Sequence, residues 1–201
     1  MHVAQESDIL VLFVHPHPRR SRINLALRDA ISDLPGLRIH DLYEEYPDFY
    51  VHVDKEQEKL QAHDLIVFQH PLYWYSAPAL LKEWQDMVLE YGWAYGTEGK
   101  ALQGKGWLQT ISMAGSHEAY SKDGKQPFSV TEFLRPFEAT AHLCGMTWLP
   151  PFLTYGTSSL DSAAISAQGI AYRDYLTTLR RGGAPDPSSK HHNPRTITSA
   201  S

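Results

Sequence analysis

Short unbroken apolar runs alternate along this chain with longer stretches in which apolar residues return every three or four positions. Runs of the first kind suit strands buried on both faces of a parallel sheet, and stretches of the second suit helices with one stripe turned to a core. Asp8–Val14 carries the first run, Leu65–Phe68 the third and Trp107–Met113 the fourth, while Leu37–Leu42 alternates as an edge-like second strand. Leu65–Phe68 is short enough to be a helix fragment as well, and the proline at Pro71 is expected to end its ladder. Thr147–Tyr155 reads as a fifth strand whose Pro150 and Pro151 imply an edge or a bulge.

Between the strands, Ile23, Leu27, Ala30, Ile31 and Leu34 form one helical stripe, stopped at Pro35-Gly36. A short polar helix over 54–62 is anchored by Leu60. Leu80, Leu81, Trp84, Met87, Val88 and Tyr91 form the next stripe, with Pro78 in its first turn and Ser76 placed to cap it. Val130, Phe133, Leu134, Phe137, Ala141 and Cys144 follow, stopped at Gly145, and Pro136 inside them implies a kink or a later start. A last helix is capped by Asp161 and carries Ile165, Tyr172, Tyr175, Leu176 and Leu179.

Strands alternating with helices predict an α/β fold: a single doubly wound five-stranded parallel sheet, order 2-1-3-4-5, with helices on both faces. That order brings the loops after the first, third and fourth strands together at the switch point. One domain is expected over 1–181, and the Pro-, Gly-, Ser- and Asn-rich 182–201 as a disordered tail.

Composition narrows the partners. A formal charge of −5 with no long basic tract argues against nucleic acid. The single Cys144, at the end of an amphipathic pattern, reads as a packed thiol of a reducing compartment. No apolar run approaches the ~18 residues of a membrane span and no basic-then-apolar leader opens the chain, so a soluble, cytoplasmic protein is expected. The histidines lack metal-ligand spacing, and no metal is expected.

Three loops hold the candidate chemistry. After the first strand, Ser21 and the start of the helix make an anion site in which amides and the helix dipole converge, with Arg19, Arg20 and Arg22 adding charge. Ser21 serves equally as a plain cap. With neither Gly-x-Gly-x-x-Gly nor Gly-Lys-Ser/Thr present, any phosphate there is a monophosphate held by hydroxyl and amide groups. After the third strand, Leu72, Tyr73, Trp74 and Tyr75 suit a flat conjugated ligand, or ordinary aromatic packing. After the fourth, Ser112, Met113, Ala114 and Gly115 let amides approach a ring, though small residues serve any tight turn.

Val14-His15-Pro16 with Ser21-x-x-Asn24, Tyr46-Pro47-Asp48-Phe49, Gln69-His70-Pro71-Leu72-Tyr73-Trp74-Tyr75-Ser76, Pro78-x-Leu80-Leu81-Lys82-x-Trp84 and Cys144-Gly145-Met146-x-Trp148-Leu149-x-Pro151 together resemble the flavodoxin-like NAD(P)H:quinone oxidoreductases. Within them the likeness is greatest to the ancillary proteins of glutathione-regulated potassium efflux systems, and it covers roughly residues 8 to 180. The resemblance implies FMN, bound non-covalently, reduced by NAD(P)H and reoxidised by a quinone in two-electron steps. It assigns His15, Ser21, Arg22, Ile23 and Asn24 to the ribityl phosphate, Leu72 to Tyr75 to the isoalloxazine, and Ser112 to Gly115 to its carbonyl edge. Tyr120 matches a tyrosine that accommodates charge on the reduced flavin; the histidine that accompanies it is replaced at about Gln126, and His117 is the candidate substitute proton donor. The family's Thr-Thr-Gly-Gly is here Ser112-Met113-Ala114-Gly115, one side-chain donor and one glycine short. The resemblance further implies a homodimer and the cytoplasmic domain of a potassium antiporter as partner, holding the protein at the inner membrane face. A non-catalytic docking subunit and an azo or nitro reductase are the competing functions.

Overall fold

The computed structural model describes residues 6–121 and 123–184. Strands β1 (Ile9–Phe13), β2 (Leu37–Asp41), β3 (Leu65–Pro71), β4 (Gly106–Ser112) and β5 (Thr147–Trp148) form a parallel sheet in the order β2-β1-β3-β4-β5, and β6 (Phe152–Thr154) also pairs with β4. This is the doubly wound order expected from the alternation of elements. The expected fifth strand is two pieces on one edge: Pro150 and Pro151 have no N–H to give the ladder, so pairing lapses between Trp107 opposite Trp148 and Thr110 opposite Phe152.

Helices cover both faces because alternate strand residues face opposite ways. Leu10, Leu12 and Val14 join α3 (Val53–Gln61), α4 (Ala79–Val88) and α6 (Arg135–Leu143) in one core, where Trp84 and Trp107 are fully buried. Ile9 and Val11 join α1 (Arg22–Ile31) and α7 (Ser162–Arg180) in the other. A Cβ added to Gly169 of α7 would lie 3.1 Å from the Ala30 methyl, so glycine there sets how closely α1 and α7 approach.

Several local expectations are corrected. The third strand runs through Gln69 and His70 to Pro71, because both polar side chains find buried partners. Ser76 does not cap α4; Pro78 holds that position, and the Ser76 N–H closes a turn onto the Tyr73 carbonyl at 2.9 Å. Met87 lies on the outer face of α4, exposed, with Gln85 on the buried stripe instead, and because the helix stops at Val88, Tyr91 lies beyond it and is exposed. The helix expected from Val130 to Cys144 is α5 (Val130–Phe133) and then α6, with Pro136 in the first turn of the latter. Asp41 caps the unexpected single turn α2 (Leu42–Glu45). Asp161 caps α7 as expected, its Oδ1 accepting from the Ala164 N–H at 2.7 Å. Burial drives the Cys144 thiol up to about 11. Lys122 and residues 185–201, most of the expected tail, lie outside the described residues.

Candidate functional site

At the carboxyl end of β1 the chain leaves through His15 and a single 3-10 turn over Pro18–Arg20 to reach α1. Ser21 caps α1: its Oγ accepts from the Asn24 N–H at 3.2 Å and from Asn24 Nδ2 at 2.9 Å, which leaves its hydroxyl hydrogen free to donate. The N–H groups of Arg22 and Ile23 have no acceptor among the described residues, as the first turn of a helix requires. Of these two residues only the amides are free to meet a ligand. The Arg22 guanidinium is engaged with the Leu160 carbonyl at 3.3 Å and Ser162 Oγ at 3.2 Å, and the Ile23 side chain is in the core. Burial, reinforced by the nearby His17, lowers the His15 pKa and keeps its ring neutral. Its Nδ1 accepts the His17 N–H at 3.0 Å, so Nε2 carries the proton and is a donor.

Beyond β3, Trp74 and Tyr75 occupy the two central positions of a tight turn with φ of 49° and 62°. Positive φ at both central residues marks a type I′ turn, normally filled by Asn and Gly. Two bulky aromatics there store strain on the order of 1–3 kcal/mol each, and such strain collects at ligand clamps. The turn holds Trp74 out with 93% of its surface exposed. It also leaves the N–H groups of Trp74 and Tyr75 without acceptors among the described residues, whereas Tyr73 and Ser76 bridge across the turn and the Leu72 N–H is held by the Ser112 carbonyl at 2.8 Å.

Beyond β4, Met113 is tied down. Its side chain is in the core, its N–H donates to the Thr154 carbonyl and its carbonyl accepts from Thr157. The amides of Ala114, Gly115 and Ser116 remain unbonded among the described residues. Glycine at 115 lets the Tyr120 ring lie over the loop, because a Cβ there would come within 2.7 Å of that ring.

The three loops meet. Asn24 Nδ2 donates to Ser112 Oγ at 2.7 Å, joining the first to the fourth-strand loop. His15 and Tyr73 rings meet edge-on at 6.1 Å, joining the first to the third. The Tyr75 hydroxyl donates to Gln126 Oε1 at 2.8 Å and its ring packs on Phe133, joining the third to the fourth. Asn24 Oδ1, fully buried, has no partner among the described residues.

Tyr120 lies over Gly115 and near Tyr155, with ring centroids 6.1 Å apart, and His117 packs edge-on against Tyr155 at 5.1 Å. His117 is exposed. Burial, then the neighbouring Tyr75, raises the Tyr120 pKa; burial, then Tyr120, takes Tyr155 to about 12. Both phenols therefore stay protonated and able to donate at neutral pH. Tyr155 escaped the sequence reading, which saw only the end of a strand. The usable signal was register: Thr154 pairs with Ser112, so the residues after each leave the sheet side by side.

Residues 7–176 match the model of a family described as having the flavodoxin-like fold. The chain belongs to that flavodoxin-like family. It is 42% identical over 176 residues to the glutathione-regulated potassium-efflux system ancillary protein KefG of Pectobacterium atrosepticum, covering 88% of this chain and 96% of that one. Among solved structures, general stress protein 14 of Treponema denticola in complex with FMN is 38% identical with a TM-score of 0.78, covering 86% of this chain and 97% of that one. An NADPH-quinone reductase from P. pentosaceus is 32% identical with a TM-score of 0.77, covering 84% and 97%. The residues at the switch point fit an FMN: an unpartnered buried amide oxygen at Asn24, a neutral imidazole donor, a helix amino terminus, and unbonded amides on the loops after β3 and β4.

Proposed function

We propose that the chain is an FMN-dependent NAD(P)H:quinone oxidoreductase. The convergence of three amide-bearing loops on one point carries the reading. The Ser21 hydroxyl, His15 Nε2–H and the amides of Arg22 and Ile23 hold the phosphate with neutral donors. Leu72 to Tyr75 flank the ring system, and Ala114 and Gly115 offer amides to its carbonyl edge, so the altered Ser112-Met113-Ala114-Gly115 loop keeps its donors. Bound FMN supplies the redox chemistry, taking two electrons from a nicotinamide and passing them to a quinone. Tyr120, protonated, donates to negative charge that develops on its neighbour; Tyr155 backs it, and His117 is the more exposed proton source.

The test is the visible spectrum of purified protein after FMN is added and excess removed, followed by anaerobic NADPH and then a quinone. Retained yellow colour that bleaches and returns supports the enzyme; folded protein that keeps no flavin sinks it.

The same reading makes the protein a homodimer. Phe49, Tyr50 and Met87 line an exposed groove of about 430 Å³ that also takes in Val51, and Phe49 packs on Tyr43 at 5.9 Å. Sedimentation giving one monomer mass at micromolar concentration ends that part of the proposal. The KefG likeness favours a second role, activation of a potassium antiporter from its cytoplasmic side. It is tested by potassium efflux with and without this chain, in cells carrying such an antiporter.

A further inference from the structure

His70 lies behind the third-strand loop, inside the apolar core and fully buried. Its Nδ1 is 2.9 Å from the Pro71 carbonyl oxygen and its Nε2 is 2.8 Å from Gln109 Oε1, while Gln109 Nε2 is buried with no partner among the described residues. Burial lowers the pKa of this imidazole against the opposing pull of its two hydrogen bonds, so the ring is neutral and has one N–H. A carbonyl oxygen can only accept, which places that hydrogen on Nδ1. The Gln109 amide must then turn its NH₂ towards Nε2, and this also removes the orphaned donor, the costlier kind to bury.

The Pro71 carbonyl needs this bond. The β1–β3 register stops at Phe13 opposite Gln69, and the last rung is the Val14 N–H on the Gln69 carbonyl. Because the Leu72 N–H points to β4 and the Ser112 carbonyl, the preceding carbonyl points the other way, past the end of β1. The Pro71–Leu72 peptide is thus fixed from both sides, by the His70 imidazole on its oxygen and by Ser112 on its nitrogen. Beyond it Tyr73 bridges to Ser76, and the N–H groups of Trp74 and Tyr75 in the strained turn between them are unbonded among the described residues.

We infer that His70 is a positioning residue: its Nδ1–H, set by Gln109, fixes the plane of the Pro71–Leu72 peptide and so aims the amides of Trp74 and Tyr75 at the ligand. This rests on the FMN reading for the identity of that ligand, and on the hydrogen bonds alone for the fixing of the loop.

Two substitutions separate the bonds. An asparagine amide nitrogen falls near the place of Nδ1 and a glutamine amide near that of Nε2. H70N keeps the donor to Pro71 and loses Gln109; H70Q keeps Gln109 and loses Pro71. Amide exchange of residues 72–76 is measured in flavin-free protein, and FMN affinity by fluorescence titration. H70Q is expected to speed exchange at Leu72 and weaken FMN about tenfold, the worth of one hydrogen bond, with H70N within about threefold of the parent in both. Equal losses in the two variants, or exchange unchanged in H70Q, overturn the role. Parent protein that binds no FMN but shows the H70Q exchange difference sinks the cofactor reading and leaves His70 as the residue that fixes the loop.

Discussion

Asn24 Nδ2 stands 2.7 Å from Ser112 Oγ, a bond between the first turn of α1 and the last residue of β4 that spans 88 positions of sequence. The same amide group bonds Ser21 Oγ, so one side chain sets both hydroxyls at the switch point. N24A leaves Ser112 Oγ without this donor and Ser21 Oγ with only the backbone N–H of residue 24. It is expected to weaken FMN about tenfold or more and to cost roughly 1–2 kcal/mol in urea unfolding, since a broken buried hydrogen bond costs more than its net worth. FMN titration of N24A beside the parent checks this, and unchanged affinity removes Asn24 from the site.

Glu56 is fully buried and accepts from His40 Nε2 at 3.0 Å, Tyr46 OH at 2.6 Å, Lys59 Nζ at 2.7 Å and Trp84 Nε1 at 2.9 Å. Burial alone would raise its pKa; the bonds from His40, Lys59 and Tyr46 and the charge of His40 outweigh it and hold the carboxyl at about 2. A depressed folded pKa gives stability that is whole above the unfolded value of about 4.3 and is lost as pH falls towards 2. E56Q is expected to lose about 3 kcal/mol at neutral pH, the cost of opening a buried ion pair, and to flatten the acid limb. Denaturant midpoints at pH 7 and pH 3 decide it: parallel losses in parent and variant assign the acid limb elsewhere.

Much of this was legible beforehand, and the reason is periodicity. The buried runs at Ile9–Phe13 and Leu65–Phe68 and the stripes of α1 and α7 fix strands, helices and sheet order, because burial alone decides them. The Ser21 cap and the meeting of three loops were legible for the same reason. What escaped depends on partners far along the chain. The strand continues through His70 only because Gln109 is opposite, and Gln69 is tolerated because it donates to the Asn24 carbonyl. Tyr155 joins the site only through the β4–β6 register. The left-handed turn at Trp74 and Tyr75 contradicts the local preference of both residues, as a tertiary constraint does at a binding loop.

That turn is itself testable. Asparagine tolerates positive φ, and Trp74 is almost wholly exposed, so W74N gives up strain and no burial. The variant is expected to keep its melting temperature or gain the equivalent of about 1 kcal/mol. A loss larger than that, together with a lower sedimentation mass, would mean that Trp74 is covered by a second copy in solution.

The last prediction separates Tyr120 from His117. Tyr120 is half-buried over Gly115 with a raised pKa, so it holds a proton throughout the neutral range, whereas His117 is exposed and touches only Tyr155 among aromatic neighbours. Y120F removes the phenolic donor and keeps the ring. It is expected to retain FMN yet slow quinone turnover by about 10²-fold, the usual worth of a positioned acid, with H117A within about threefold of the parent. G115A pushes the Tyr120 ring from its place without changing the phenol, and should reproduce part of the Y120F loss while the flavin stays bound. Steady-state rates of the three variants at matched flavin content settle the assignment: a large loss in H117A with none in Y120F transfers the proton-donating role to the histidine.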